Sequence, residues 1–256
     1  MKIIKILSIL FIMISAINVG AKMPDTKPTI IFVHGVWADG SSFAAQIEAL
    51  QAKGYPVISV QNPITSLADD VAATNRAIAR AKGNVILVGH SWGGFVITQA
   101  GNDPNVVGLV YVAAFAPDLE ETVPSLLAKF PAGNLSSYFE PQDGFIFLSK
   151  DGVKTTFAQD LTPNQQDLIY ATETPASQTI FGDKSGNPAW KTKASWYIVA
   201  KNDGQLGPDL ERFFAKRINA KTTEIEGSHV VMISHPEEVI NIIEEAANAT
   251  INSQTH

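Results

Sequence analysis

Residues 84–94 read NVILVGHSWGG, an apolar run that ends in a serine held between glycines. The unbroken run Val85–Val88 fits a strand covered on both faces rather than one with a wet side. Gly89-His90-Ser91-Trp92-Gly93 follows at once, and residues from Phe95 to Ala100 then read as a helix. A strand that turns sharply into a helix at a serine lifts the hydroxyl above the sheet, beside the free N–H groups of the helix start. Such a turn forces the serine into an unfavourable φ/ψ region, so its neighbours must be small. Gly-x-Ser-x-Gly alone arises by chance, and a glycine-rich turn with an incidental serine is the plain alternative. Between a strand and a helix the motif points to an α/β domain with a nucleophilic serine.

The rest of the chain keeps the same rhythm. Strands are expected at Thr29–Val33, Val57–Val60, Val107–Ala113, Trp196–Ala200 and Thr222–Ile225. Helices are expected at Ser41–Lys53, which Gly54 stops, at Leu67–Ala81, and at Pro208–Arg217 and Pro236–Ala247, which open on prolines. Strand–helix alternation of this kind predicts a mostly parallel central sheet flanked by helices. From Pro117 to about Trp190 the rhythm fails, over a stretch too long for a simple loop. Its aromatics, among them Phe130, Tyr138, Phe145, Phe157 and Tyr170, argue against disorder. The expectation is a core of residues 22–117 and 191–256 with an inserted, partly helical cap at 118–190.

The first residues, MKIIKILSILFIMISAINVGA, carry Lys2 and Lys5 ahead of an apolar stretch from Ile6 to Ile17 and small residues at Val19 and Ala21. That is the pattern of a secretory signal over residues 1–21, with a mature chain starting near Lys22. An uncleaved N-terminal anchor is the alternative, although the stretch is short of the roughly 20 residues a membrane span needs. The expectation is an exported protein, periplasmic or secreted, with no stable membrane insertion after cleavage. The net charge of −6 offers no basic field to a nucleic acid. With no cysteine in the chain, disulfides, thiolate nucleophiles and cysteine-held metals are excluded.

A serine hydroxyl needs a base near neutral pH. Of the five histidines, His256 is terminal, His90 adjoins the serine, His34 sits in a turn, and His235 precedes the last helix. His229, in EGSHVV, follows the last expected strand, on the loop where α/β folds place their chemistry. Asp203 in AKNDG follows the strand before it and is the expected partner of the imidazole, with Glu226 and Asp118 as rival acids. Ser, Asp, His is also the chain order of the hydrolase triad. An oxyanion would need two N–H groups, expected from Trp92 and from Val36 in HGVWADG. A base that works only when neutral predicts activity that falls in acid.

Together, IIFVHGVWADGSSF, VILVGHSWGG, LVYVAAFAPD, SWYIVAKNDG and GSHVVMISHPEEV resemble the α/β-hydrolase superfamily. More narrowly, they resemble the small bacterial hydrolases related to plant methyl-ester esterases and hydroxynitrile lyases. The resemblance runs from Thr29 to about Ile243. It implies an α/β-hydrolase fold, a triad of Ser91, Asp203 and His229, and cleavage of small carboxylic esters through an acyl-enzyme with no cofactor or metal. The alternatives are a hydroxynitrile lyase-like C–C lyase, for which Lys129 or Lys201 would supply a positive group, and a ligand-binding protein on a hydrolase scaffold. Trp37, Trp92 and the cap aromatics suit either an apolar pocket or ordinary core packing.

Overall fold

The computed structural model describes residues 27–130 and 135–252. The expected signal segment therefore lies outside the described residues, as does His256. Among the described residues nine strands run in chain order: β1 (Thr29–Val33), β2 (Val57–Val60), β3 (Val85–His90), β4 (Val106–Val112), β5 (Phe139–Gln142), β6 (Phe145–Leu148), β7 (Ala176–Ser177), β8 (Ala194–Ala200) and β9 (Lys221–Ile225). Six of them form one sheet in the order β2-β1-β3-β4-β8-β9, every neighbouring pair parallel. The continuous apolar runs lie at its centre, with every residue of β1 and β3 buried. At the edge, β9 has only Ile225 buried and carries Lys221 and Glu224, charges that discourage another strand from pairing there.

Strand order grows leftward from β1 to β2 and rightward from β3 onward. Right-handed crossovers then put α1 (Ala44–Ala52) on one face and α2 (Leu67–Arg80) and α3 (Gly93–Ala100) on the other. Accordingly α2 packs on α3, and α1 packs on the long helix 236–252. Local chemistry sets the boundaries. Ser66 caps α2 by accepting the Asp69 N–H at 3.1 Å. The expected helix at Ser41 instead begins as a 3₁₀ turn, Gly40–Phe43, because Asp39 accepts the Ser41 N–H at 2.6 Å and tightens the first turn.

Between β4 and β8 the chain leaves the sheet. The two ends of this insertion are tied: Trp190 Nε1 donates to Pro117 O at 2.8 Å, and Lys191 pairs with Asp118 at 2.6 Å. Short helices at Val123–Leu127 and Pro163–Thr172 fit the expectation of a partly helical cap. The cap also contains a three-stranded antiparallel sheet, β5-β6-β7, which was not anticipated. Asp143 and Gly144 turn β5 into β6 with φ of +49° and +84°. Positive φ at both central residues is the type I′ hairpin turn, which Asp-Gly favours. Pro141 is admitted because β5 is an edge strand.

Candidate active site

Ser91 sits at the end of β3 with φ of +53°, the strained backbone anticipated for a strand-to-helix turn. Its own backbone is pinned: the N–H donates to Val112 O at 3.3 Å, and the carbonyl accepts from Gly94 and Phe115. The turn after β1 presses against it so closely that a Cβ on Gly35 would lie 2.6 Å from Ser91 Cβ. β1 and β3 flank the point where strand order reverses, the place where open α/β sheets bind ligands.

The ends of β8 and β9 supply the other two groups. His229 Nδ1 and Asp203 Oδ2 are 2.6 Å apart, and both side chains are buried. Asp203 Oδ1 accepts two further bonds, from the N–H of Gln205 at 2.5 Å and of Leu206 at 3.1 Å. Burial alone would push this carboxyl up. The His229 imidazole, its hydrogen bond and the bonds from Glu211 and Gln205 reverse that and hold it below the ordinary carboxylate value. An anionic Asp203 accepts a hydrogen bond from Nδ1–H and so keeps the proton on that nitrogen, which leaves Nε2 as a lone-pair acceptor. No hydrogen bond joins Nε2 to the Ser91 hydroxyl, but both residues line one cavity of about 230 Å³.

That cavity lies between the strand ends and the cap. Its other walls are apolar apart from Gln205, and include Phe115 and Leu206 from the core and Leu127, Phe139 and Phe181 from the cap. Trp37 also lines it, and Trp37 Nε1 donates to Ile146 O in the cap at 3.0 Å. The remaining aromatics divide. Trp92 faces away, stacked on Phe95 with its Nε1 on Asp70 Oδ2 at 2.8 Å, and Tyr170 is exposed. The Trp37 amide is committed to Thr174 O at 3.0 Å. No backbone acceptor among the described residues takes the amide of Val36 or of Trp92.

The rival acids lie elsewhere, Glu226 paired with Lys201 and Asp118 with Lys191. His34 fixes its loop, accepting the Asn62 N–H on Nε2 at 2.9 Å, and His235 lies 3.5 Å from Glu238. His90 bonds the His229 carbonyl through Nε2 at 2.9 Å, and burial first, then His229, holds its pKa well below the ordinary value. Its ring lies 4.7 Å from that of His229, and Phe157 of the cap lies 5.2 Å from the same imidazole. Asp160, also in the cap, accepts the Ser228 N–H at 2.8 Å. Phe157 and Asp160 brace the histidine loop from an insertion whose sequence carries no motif for that task.

A parallel sheet whose strand ends gather a strained serine, a histidine and a buried aspartate defines an α/β enzyme of the hydrolase class. Residues 30–242 match the alpha/beta hydrolase family model, and the chain belongs to that family. It is 23% identical over 247 residues to the alpha/beta hydrolase nvfD of Aspergillus novofumigatus, covering 88% of this chain and 98% of that one. It also resembles the solved structure of a pyrethroid hydrolase from Sphingobium faniae, at TM-score 0.73 and 21% identity over 87% of this chain and 98% of the other. Polyneuridine aldehyde esterase matches at TM-score 0.74 and 18% identity, over 86% and 99% of the two chains.

Proposed function

We propose that this protein is a serine hydrolase that cleaves small, apolar carboxylic esters by acyl transfer. One observation carries the reading: Ser91 and His229 open on the same apolar cavity, and His229 is backed by the buried Asp203. In the proposed cycle His229 Nε2 takes the Ser91 proton as Oγ attacks the ester carbonyl. The Val36 and Trp92 amides hold the developing oxyanion, each such donor worth about 3 kcal/mol of barrier. His229 then protonates the leaving alcohol, and water repeats the sequence to release the acid. The missing Ser91–His229 bond is compatible with this cycle, because catalytic hydrogen bonds are often long until substrate binds. Several relatives bear the names hydrolase and esterase, which supports the same chemistry.

The lyase alternative asks for a cation beside the substrate. Lys129 is paired with Glu121 and Lys201 with Glu226, and the cavity wall contains neither lysine. A binding protein on this scaffold would have no chemical use for a serine, a histidine and an aspartate arranged in this way. The deciding experiment is an ester panel of graded acyl and alcohol size, run on the wild type and on Ser91→Ala. Repeated turnover that disappears in the variant is expected, and retained hydrolysis by Ser91→Ala rejects the nucleophile. Export is part of the proposal, supported by the amino-terminal pattern and tested by N-terminal sequencing of protein recovered outside the cytoplasm. Among the described residues no helix is long and apolar enough to cross a membrane.

A further inference from the structure

The hydrolytic reading leaves one buried acid without a task. Glu211 lies in the first turn of the helix Pro208–Arg217 and is fully buried. Its Oε2 accepts the Ala200 N–H at 3.0 Å, whereas its Oε1 meets no N–H or O–H donor among the described residues. Its carboxyl is next to that of Asp203: Ala200 gives its N–H to Glu211 and takes the Asp203 N–H on its carbonyl at 3.1 Å, and the two buried acids act on each other. A hydrogen bond between two carboxyl groups requires a proton on one of them, and two ionised carboxylates in one dry site repel strongly.

Counting donors says which group is ionised. Asp203 receives three N–H bonds, from His229 Nδ1, Gln205 and Leu206. Glu211 receives one. Negative charge settles where donors converge, so Asp203 is the anion and Glu211 keeps the proton. Burial, and then the charge of Asp203, push Glu211 well above the ordinary carboxyl value, in agreement. The other titratable groups acting on Glu211 are Tyr197 of β8 and Arg212 of its own helix. The Tyr197 hydroxyl is committed to Ala114 O, and Arg212 points to Asp209 and Glu224.

We propose that Glu211 is a positioning residue, a neutral carboxylic acid whose O–H donates to Asp203 and holds that carboxylate toward His229. This rests on the triad reading above. Without the donor, Asp203 would lose one of the bonds that fix its orientation and spread its charge.

Two variants separate this from a purely structural role. Glu211→Gln preserves both bonds, since an amide carbonyl can accept from Ala200 and its NH₂ can donate to Asp203. Its kcat and KM are expected within about twofold of wild type. Glu211→Met fills a similar volume and offers neither bond. Its kcat is expected to fall about ten- to a hundredfold with KM little changed, the size of a lost hydrogen bond to a charged group. A structural role alone would lower the melting temperature without splitting kcat from KM. The infrared difference spectrum, wild type minus Glu211→Gln at about pH 8, should contain the C=O band of a protonated carboxylic acid, far above the ordinary carboxyl range. That measurement and the Gln kinetics decide the matter even if the Met variant does not fold. Absence of the band, a large loss in Glu211→Gln, or an unchanged kcat in a folded Glu211→Met each overturns the proposal. Ser91→Ala assayed alongside distinguishes failure of the hydrolytic reading, which would appear as activity that survives without the serine.

Discussion

His229 Nδ1 lies 2.6 Å from Asp203 Oδ2 with both side chains out of water, so the loops after β8 and β9 meet through a buried side-chain hydrogen bond. The Asn202 N–H, donating to Gly227 O at 3.0 Å, ties the same two loops one residue before Asp203 and two before His229. Backbone pairing therefore sets the approach of the loops, and the carboxylate sets the tautomer of the ring.

Asp203→Asn tests that division. The amide can keep the position while presenting NH₂ or O to Nδ1, so the imidazole is free to adopt the wrong tautomer. With Nδ1 no longer required to carry the proton, Nε2 loses the role of base given to it in the proposed cycle. A drop in kcat of about 10⁴-fold is expected, with the fold intact by circular dichroism. A loss of less than about tenfold would place the base elsewhere.

Gly35→Ala and Val36→Ala form a matched pair. A Cβ at Gly35 would lie 2.6 Å from Ser91 Cβ and 3.0 Å from His90 O, so the turn or the serine must move. A displacement of about 1 Å at a reacting group costs on the order of 10²-fold in rate. Val36 contributes its backbone N–H in the proposed cycle, and Val36→Ala keeps that N–H. Steady-state kinetics on a short-chain ester should give a severe loss for Gly35→Ala and kcat within about threefold of wild type for Val36→Ala.

How much of this was legible beforehand follows from what each feature requires. β1 and β3 were readable because a strand buried on both faces needs an unbroken apolar run, and both have one. The positions of Ser91, Asp203 and His229 past strand ends were readable because the expected strands stop just before them. The cap strands were not, since β5 is four residues long and holds a proline, although Asp143-Gly144 is itself a hairpin signal. Glu211 and Asp160 had no signal at all. A single acid on a helix or loop looks solvated until tertiary packing buries it or brings a distant N–H to it.

Asp70 carries a pH prediction. Its Oδ1 accepts the Ile64 N–H at 2.9 Å and its Oδ2 the Trp92 indole N–H at 2.8 Å. Burial outweighs those bonds and raises its pKa to about 6 from the ordinary 3.8. The folded state thus holds this proton more tightly than the unfolded chain. The resulting stability is complete below about pH 4 and is lost as pH rises through about 6. Over that window the wild type should lose on the order of 1–3 kcal/mol relative to Asp70→Asn, whose amide does not titrate. Urea melts of both proteins at a series of pH values measure the difference. Parallel curves would mean that Asp70 is ionised throughout.

Phe181 tests where the ester sits. It lines the cavity from a short 3₁₀ turn of the cap, Ile180–Gly182, and its ring centroid lies 6.4 Å from that of Trp37. The cavity holds only about 230 Å³, so a bulky acyl group has to displace part of the wall. Phe181→Ala removes an aromatic wall that is half-buried, at modest cost to the fold. In a hydrophobic site each added methylene changes discrimination by about 1–3 kcal/mol. The ratio of kcat/KM for a long-chain ester to that for an acetate ester is therefore expected to rise at least about tenfold in the variant. If the ratio stays at its wild-type value, the acyl group does not occupy the space beneath Phe181, and the cap governs access rather than fit.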